Sequence, residues 1–252
     1  MATGRAERRS VSVNGVPVYF RVMGQGEPLI LVHGLSGSTF WWQHNAPILA
    51  SRYTVYLVDL PGFGSMHRSH QRLLLSQAAD WLADWMKTVG ISSAHLVGHS
   101  MGGLICIRVA ARYPSVVRRL ALIAPAGVPS GRTVYGYFFP LLVALRYMSV
   151  RFLPILFYDA WRAGMVTLLR ATQDLLTQDV RDDLGNIEAP TLLIWGVYDT
   201  LVPPAVGSML RQKIRNARLL VVKRAGHVVM YDRPHECNEA LLAFFAGEEV
   251  GT

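Results

Sequence analysis

Apolar residues gather in short, nearly unbroken runs along this chain. Leu29 to Val32, Tyr53 to Val58, Ala94 to Val97, Leu120 to Ala124, Thr191 to Trp195 and Leu219 to Val222 are the clearest. Short continuous runs suit strands covered on both faces, the habit of a parallel sheet. Between them, apolar residues recur at helical spacing. Leu73 to Val89 carries Leu74, Ala78, Trp81, Leu82 and Trp85 in this way, and Met101 to Tyr113, Val206 to Ile214 and Glu236 to Phe245 read as further helices. Near the start, Val11 to Val13 and Val16 to Val22 flank Asn14-Gly15, the strongest short hairpin signal. Strand and helix alternate, so the pattern predicts an α/β fold with a mainly parallel sheet.

One segment breaks the rhythm. From Ala126 to about Gly185 no strand-turn-helix unit occurs; an aromatic-rich helical tract is followed by a polar one, Thr172 to Asp183. The expected organisation is a core of residues 1–125 and 186–252 with a helical insertion, residues 126–185, over the sheet. The longest apolar tract, Tyr135 to Trp161, is broken by Pro140, Arg146, Arg151 and Pro154. It falls short of the roughly 18 apolar residues that a membrane span needs.

Candidate chemistry lies where the runs end. The stretch LVGHSMGG, Leu96 to Gly103, places Ser100 between Gly98 and Gly102 as a strand gives way to a helix. Glycines there permit a turn too sharp for side chains, with the hydroxyl at its tip, the nucleophile elbow. A serine hydroxyl needs a base. Among the histidines, His95 lies inside a strand and His99 adjoins the serine. His67 and His70 sit in a polar loop without a carboxylate, and His44 and His235 read as surface or helix-cap residues. His227 follows a strand and Gly226, at the carboxyl end where open α/β sheets collect their active groups. Asp199 lies just past the run ending at Trp195, placed to orient the imidazole.

Composition narrows the classes. Of 252 residues, 51% are hydrophobic and 17% charged, a packed globular composition. The net charge of +8 is spread over scattered arginines, with no basic helix carrying interleaved aromatics, so nucleic-acid binding is not expected. Cys106 and Cys237 lie in apolar helical patterns and read as buried free thiols; no disulfide or zinc spacing is present. The basic N-terminus has no apolar segment after it. A cytoplasmic location, with no metal or cofactor, is the resulting expectation.

The order Ser100, Asp199, His227, carried by HGLSGS (33–38), DLPGFG (59–64), GHSMGG (98–103), WGVYDTLVP (195–203) and AGHVVMYDRP (225–234), resembles the α/β-hydrolase superfamily from about Val11 to Phe245. The resemblance implies a mainly parallel eight-stranded sheet flanked by helices, with the insertion as a helical cap. It implies Ser100, Asp199 and His227 as a catalytic triad, and an oxyanion hole from the N–H groups of Leu35 and Met101. His33, Gly34 and the cap residues Phe138, Phe139 and Leu142 are expected to bind substrate. The implied activity is hydrolysis of carboxylic esters with apolar acyl or aromatic groups. C–C bond hydrolases of ring-cleavage diketones, lipases and lactonases share the triad, and a non-catalytic ligand-binding protein on the same fold is a further class. The cap, with Arg146 and Arg151, is a candidate for contact with a membrane surface.

Overall fold

The computed structural model describes residues 6–69, 73–129, 131 and 133–250; the side chains of Tyr137 and Phe138 lie outside that description. The chain opens with β1 (Glu7–Val13), β2 (Val16–Met23) and β3 (Glu27–Val32). Then come the short α1 (Ala46–Leu49), β4 (Tyr53–Val58), α2 (Ala78–Val89), β5 (Ala94–His99), α3 (Met101–Arg112) and β6 (Val117–Ile123). Three helices follow without a strand: α4 (Phe138–Tyr147), α5 (Leu153–Ala163) and α6 (Met165–Thr177). The rest is β7 (Thr191–Gly196), α7 (Pro204–Lys213), β8 (Ala217–Val222), the short α8 (Val229–Asp232) and α9 (Pro234–Ala246).

The strands form one eight-stranded sheet in the order β1-β2-β4-β3-β5-β6-β7-β8. β2 is antiparallel to both of its neighbours, β1 and β4; the ladders from β4 to β8 are parallel. Asn14 and Gly15, at φ 52° and 82°, close the first hairpin with both central residues left-handed, the geometry that matches strand twist.

Side chains alternate between two cores. Ile30, Val32, Leu96, Leu120, Leu122, Leu193 and Trp195 face the layer of α2, α3 and α7. Leu29, Leu31, Val97, Ala121, Ile123, Leu192 and Ile194 face α1, α8 and α9. The period of two along a strand therefore buries both faces, which is why the runs carry so few polar residues.

One helix start differs from expectation. The pattern from Leu73 yields a helix only from Ala78. Leu75 instead spends its backbone on tertiary partners: its N–H donates to Asp174 Oδ2 at 2.9 Å, and its carbonyl accepts from Arg108 Nη1 at 3.1 Å. Arg108, buried on α3, also donates to Gln178 Oε1 at 2.6 Å and lies 3.6 Å from Asp183 Oδ2. The polar tract after α6 is thus tied to the core by one buried guanidinium.

Candidate functional site

Chain direction across the sheet reverses at β3. From it the next strand lies on one side and β5 on the other, which opens a crevice at the carboxyl ends of β3 and β5. Ser100 sits there, at the junction of β5 and α3, with φ 50° and ψ −115°. A non-glycine residue in that region is strained, and surroundings must hold it there. The flanking glycines show how. A Cβ on Gly98 would lie 2.5 Å from the Gly102 carbonyl oxygen and 2.8 Å from Cys106 Sγ. One on Gly102 would meet the carbonyls of Val32 and His33, and one on Gly103 would lie 2.7 Å from Pro125 Cβ. The turn is feasible only because these positions have no side chains.

The imidazole and carboxylate arrive on the loops after β8 and β7. Gly196 lets the two loops touch: a Cβ there would collide with the carbonyls of Gly226 and Ala225. The N–H of Tyr198 donates to the Ala225 carbonyl at 3.0 Å, fastening one loop to the other. His227 Nδ1 lies 2.8 Å from Asp199 Oδ2. The other oxygen, Oδ1, accepts the N–H groups of Leu201 and Val202, both at 2.9 Å. The carboxylate is fixed in orientation and its lone pairs are occupied, so it holds the tautomer with the proton on Nδ1 and leaves Nε2 as a base.

Ser100 and His227 line one cavity of about 660 Å³. Among the described residues Ser100 Oγ has no hydrogen-bond partner. Leu35 and Ser36 line the cavity beside them, Ser36 at φ 60°. Met101 is buried beneath at the first position of α3, where a helix has no internal acceptor for its N–H.

The cavity wall is apolar. Leu141 and Leu145 of α4, and Leu156 and Phe157 of α5, contribute to it. Its polar members are Ser36, His99, Ser100, Thr172, Gln178 and His227, and no charged side chain lines it among the described residues. Such a cavity suits a neutral, largely apolar ligand, because an ion would lose its hydration without a partner.

Four expected substrate contacts sit elsewhere, and the fifth, Phe138, has its side chain outside the described residues. His33 is fully buried and absent from the lining. Its Nε2 accepts the Leu60 N–H at 3.0 Å and its Nδ1 donates to the Gly34 carbonyl at 2.8 Å. It is therefore a structural brace for the loop after β3, and burial pushes its pKa down. Gly34 packs under the turn at Ser100, where a Cβ would lie 2.8 Å from His99 Nδ1. On α4, Phe139 is 73% exposed and Leu142 49% exposed, and neither lines the cavity. Leu141 and Leu145, four residues apart and so on one helical face, take that place.

Two polar residues with no role assigned from sequence prove to be buried and bonded. His99 Nε2 donates to the His227 carbonyl at 3.0 Å. Burial and the neighbouring His227 hold its pKa well below the usual imidazole range, so it stays neutral and steadies the histidine loop. Asp159, on α5, is buried; its Oδ2 accepts from Ser38 Oγ at 2.7 Å and Trp41 Nε1 at 3.1 Å, pinning α5 to the segment after β3. Burial raises its pKa. Being the lone acid in an apolar tract was the one signal available in the sequence.

Known proteins agree with this architecture. The chain is 31% identical over 250 residues to the dihydrolipoyllysine-residue acetyltransferase component of the acetoin cleaving system of Pseudomonas putida; the match takes in 90% of this chain but only 65% of that protein's length. It is 28% identical to the pimeloyl-[acyl-carrier protein] methyl ester esterase of Aeromonas hydrophila, over 88% of this chain and 96% of the relative. Its fold superimposes on a crystal structure of a membrane phospholipase A with a TM-score of 0.85 at 28% identity, covering 96% of this chain and 86% of the other. Residues 29–240 match the alpha/beta hydrolase family model, and the chain belongs to that family.

Proposed function

We propose that the protein is a serine carboxylesterase acting on neutral esters with an apolar acyl or aromatic group. The observation that carries this reading is the convergence of Ser100 with the His227–Asp199 pair on a large cavity that has no charged lining residue among those described. Helices α4 to α6 act as a cap that keeps water from the reacting centre.

The steps follow from the geometry. Ser100 Oγ bonds to the ester carbonyl carbon while its proton passes to His227 Nε2. The carbonyl oxygen becomes an oxyanion, met by the N–H groups of Met101 and Leu35; the start of α3 adds positive potential. Loss of one such donor typically costs about 3–4 kcal/mol of transition-state stabilisation. The C–O bond then breaks and the leaving alcohol takes the proton from Nε2. Water, deprotonated by the same nitrogen, attacks the acyl carbon and releases the acid, and Ser100 regains its proton. Asp199 holds the ring and stabilises the imidazolium.

The uncharged wall favours this reading over the C–C hydrolase alternative, because an anionic ring-cleavage product would enter without a counter-ion. The relative that acts on a methyl ester supports it from outside. The test is a series of p-nitrophenyl esters from acetate to palmitate, run beside a vinylogous diketone carboxylate. Turnover of esters, with fluorophosphonate labelling of the native protein and none of Ser100→Ala, is the expected result. Rapid diketone cleavage with negligible ester turnover would overturn it.

A further inference from the structure

Exposed apolar side chains are concentrated on the inserted helices. Trp161 is 77% exposed, Met165 70%, Phe157 61% and Val166 60%. Outside residues 126–185 no large hydrophobic residue among those described exceeds 47%. Phe157 and Trp161 are four residues apart on α5 and share a face. Met165 and Val166 open α6 directly after Gly164, four and five residues beyond Trp161 in the chain. So many large apolar side chains left in solvent on two consecutive helices mark a contact surface.

Charge identifies the partner. Between residue 134 and the end of α6 at Thr177 the sequence holds four arginines, no lysine and two acids, Asp159 and Asp174. Asp159 is buried and bonded inward to Ser38 and Trp41, and Asp174, half-buried, accepts from the Leu75 N–H and Gln178 Nε2. Arg146, Arg151 and Arg170 are exposed, while Arg162 lies 3.0 Å from His67 Nδ1. The outward charge of the tract is thus wholly positive. A second copy of this chain would bring arginines against arginines. Anionic headgroups over an apolar layer match both features at once.

The contact surface also reaches the cavity: Phe157 is exposed on one side and lines the cavity on the other. We propose that the exposed apolar side chains of α5 and α6 dock on an anionic lipid surface, with the arginines at headgroup level, and so set the cavity mouth against the apolar layer. The proposal rests on the esterase reading for its substrate, an acyl ester drawn from that layer. The docking itself does not depend on turnover.

The sequence supplies the probe. Of six tryptophans, Trp161 is the exposed one; the other five are at most 5% exposed. Ser100→Ala protein is mixed with vesicles of two parts phosphatidylcholine to one part phosphatidylglycerol. Emission should shift to the blue and be quenched by brominated acyl chains, and the protein should sediment with the vesicles. Trp161→Ser combined with Val166→Ser, both outside the cavity lining, should weaken sedimentation by about tenfold or more. The same pair, in protein that keeps Ser100, should leave hydrolysis of soluble p-nitrophenyl acetate unchanged.

No spectral shift, equal binding to pure phosphatidylcholine, or undiminished binding of the double variant would overturn the proposal. A dimer in sedimentation velocity that the double variant abolishes would also overturn it, assigning the contact surface to a second copy. Vesicle binding without ester turnover would sink the esterase reading alone; ester turnover without vesicle binding would sink the docking alone.

Discussion

Replacing Ser100 by glycine should make the protein more stable while destroying its proposed nucleophile. The residue is held at φ 50°, ψ −115°, where a Cβ is penalised. Side chains in such regions cost of the order of 1–3 kcal/mol each. Glycine occupies the region freely, but its looser unfolded chain returns about 0.4–1 kcal/mol of that gain. The net gain is roughly 0.5–2 kcal/mol. A chain of this size moves by about 2–4 °C per kcal/mol, so the expected rise in Tm is on the order of 1–8 °C. Ser100→Ala is the control: it removes the same oxygen, which has no hydrogen-bond partner here, and keeps the Cβ. Its melting point should stay within about 0.5 kcal/mol equivalent of the wild type. Differential scanning calorimetry of the three proteins decides the matter. A glycine variant that melts at or below the alanine variant would show that the turn stores no strain, and the account of why glycines flank this serine would fail with it.

Other consequences are equally direct. Asp199→Asn presents an amide N–H₂ to His227 Nδ1 and favours the wrong tautomer, so kcat on p-nitrophenyl esters should drop by about 10³–10⁴-fold with KM little changed; a loss below tenfold would refute the assignment. His33 and His99 are both held neutral, their pKa values lowered chiefly by burial. Unfolded imidazoles bind protons near pH 6.5, so below that the unfolded state holds more protons than the native one. Their contribution to stability is therefore complete above about pH 6.5 and is lost as pH falls, by up to about 1.4 kcal/mol per pH unit for each group. Melting temperatures followed from neutral to mildly acidic buffer should decline, and His99→Gln should flatten the slope; an unchanged slope would count against it. Gly102→Ala drives a Cβ into the carbonyls of Val32 and His33 and should cost about 3 kcal/mol or more by urea denaturation, whereas Gly185→Ala, where a Cβ meets nothing within 4 Å, should be near neutral. Burial raises both cysteine thiols, Cys237 to about 12, so neither should react with Ellman's reagent until the protein is denatured.

Much of the candidate site was legible because each of its residues ends an apolar run. Ser100, Asp199 and His227 follow β5, β7 and β8, and a parallel sheet brings all its carboxyl ends to one rim. His33 shows the limit of that logic. It too follows a strand and adjoins a glycine, as His227 does, yet it is spent on Leu60 and Gly34. Nothing local separates the two; the difference lies in which loop reaches each ring. The phase of α4 was hidden for another reason. The α4 sequence FFPLLVALRY is apolar on nearly every face, so periodicity could not choose Leu141 and Leu145 over Phe139 and Leu142.

Local sequence therefore fixed the alternation of strands and helices, the sharp turn at Ser100 and the order of the polar residues, because short-range sterics and hydrophobic period act within a few neighbouring positions. Only the folded chain decided which imidazole pairs with Asp199, and that Asp159 bonds to Ser38 and Trp41 across 121 and 118 residues. It also decided which side of α5 is left in solvent. Those outcomes depend on contacts between segments remote in sequence, whose geometry is set by the packing of the whole sheet and its two cores.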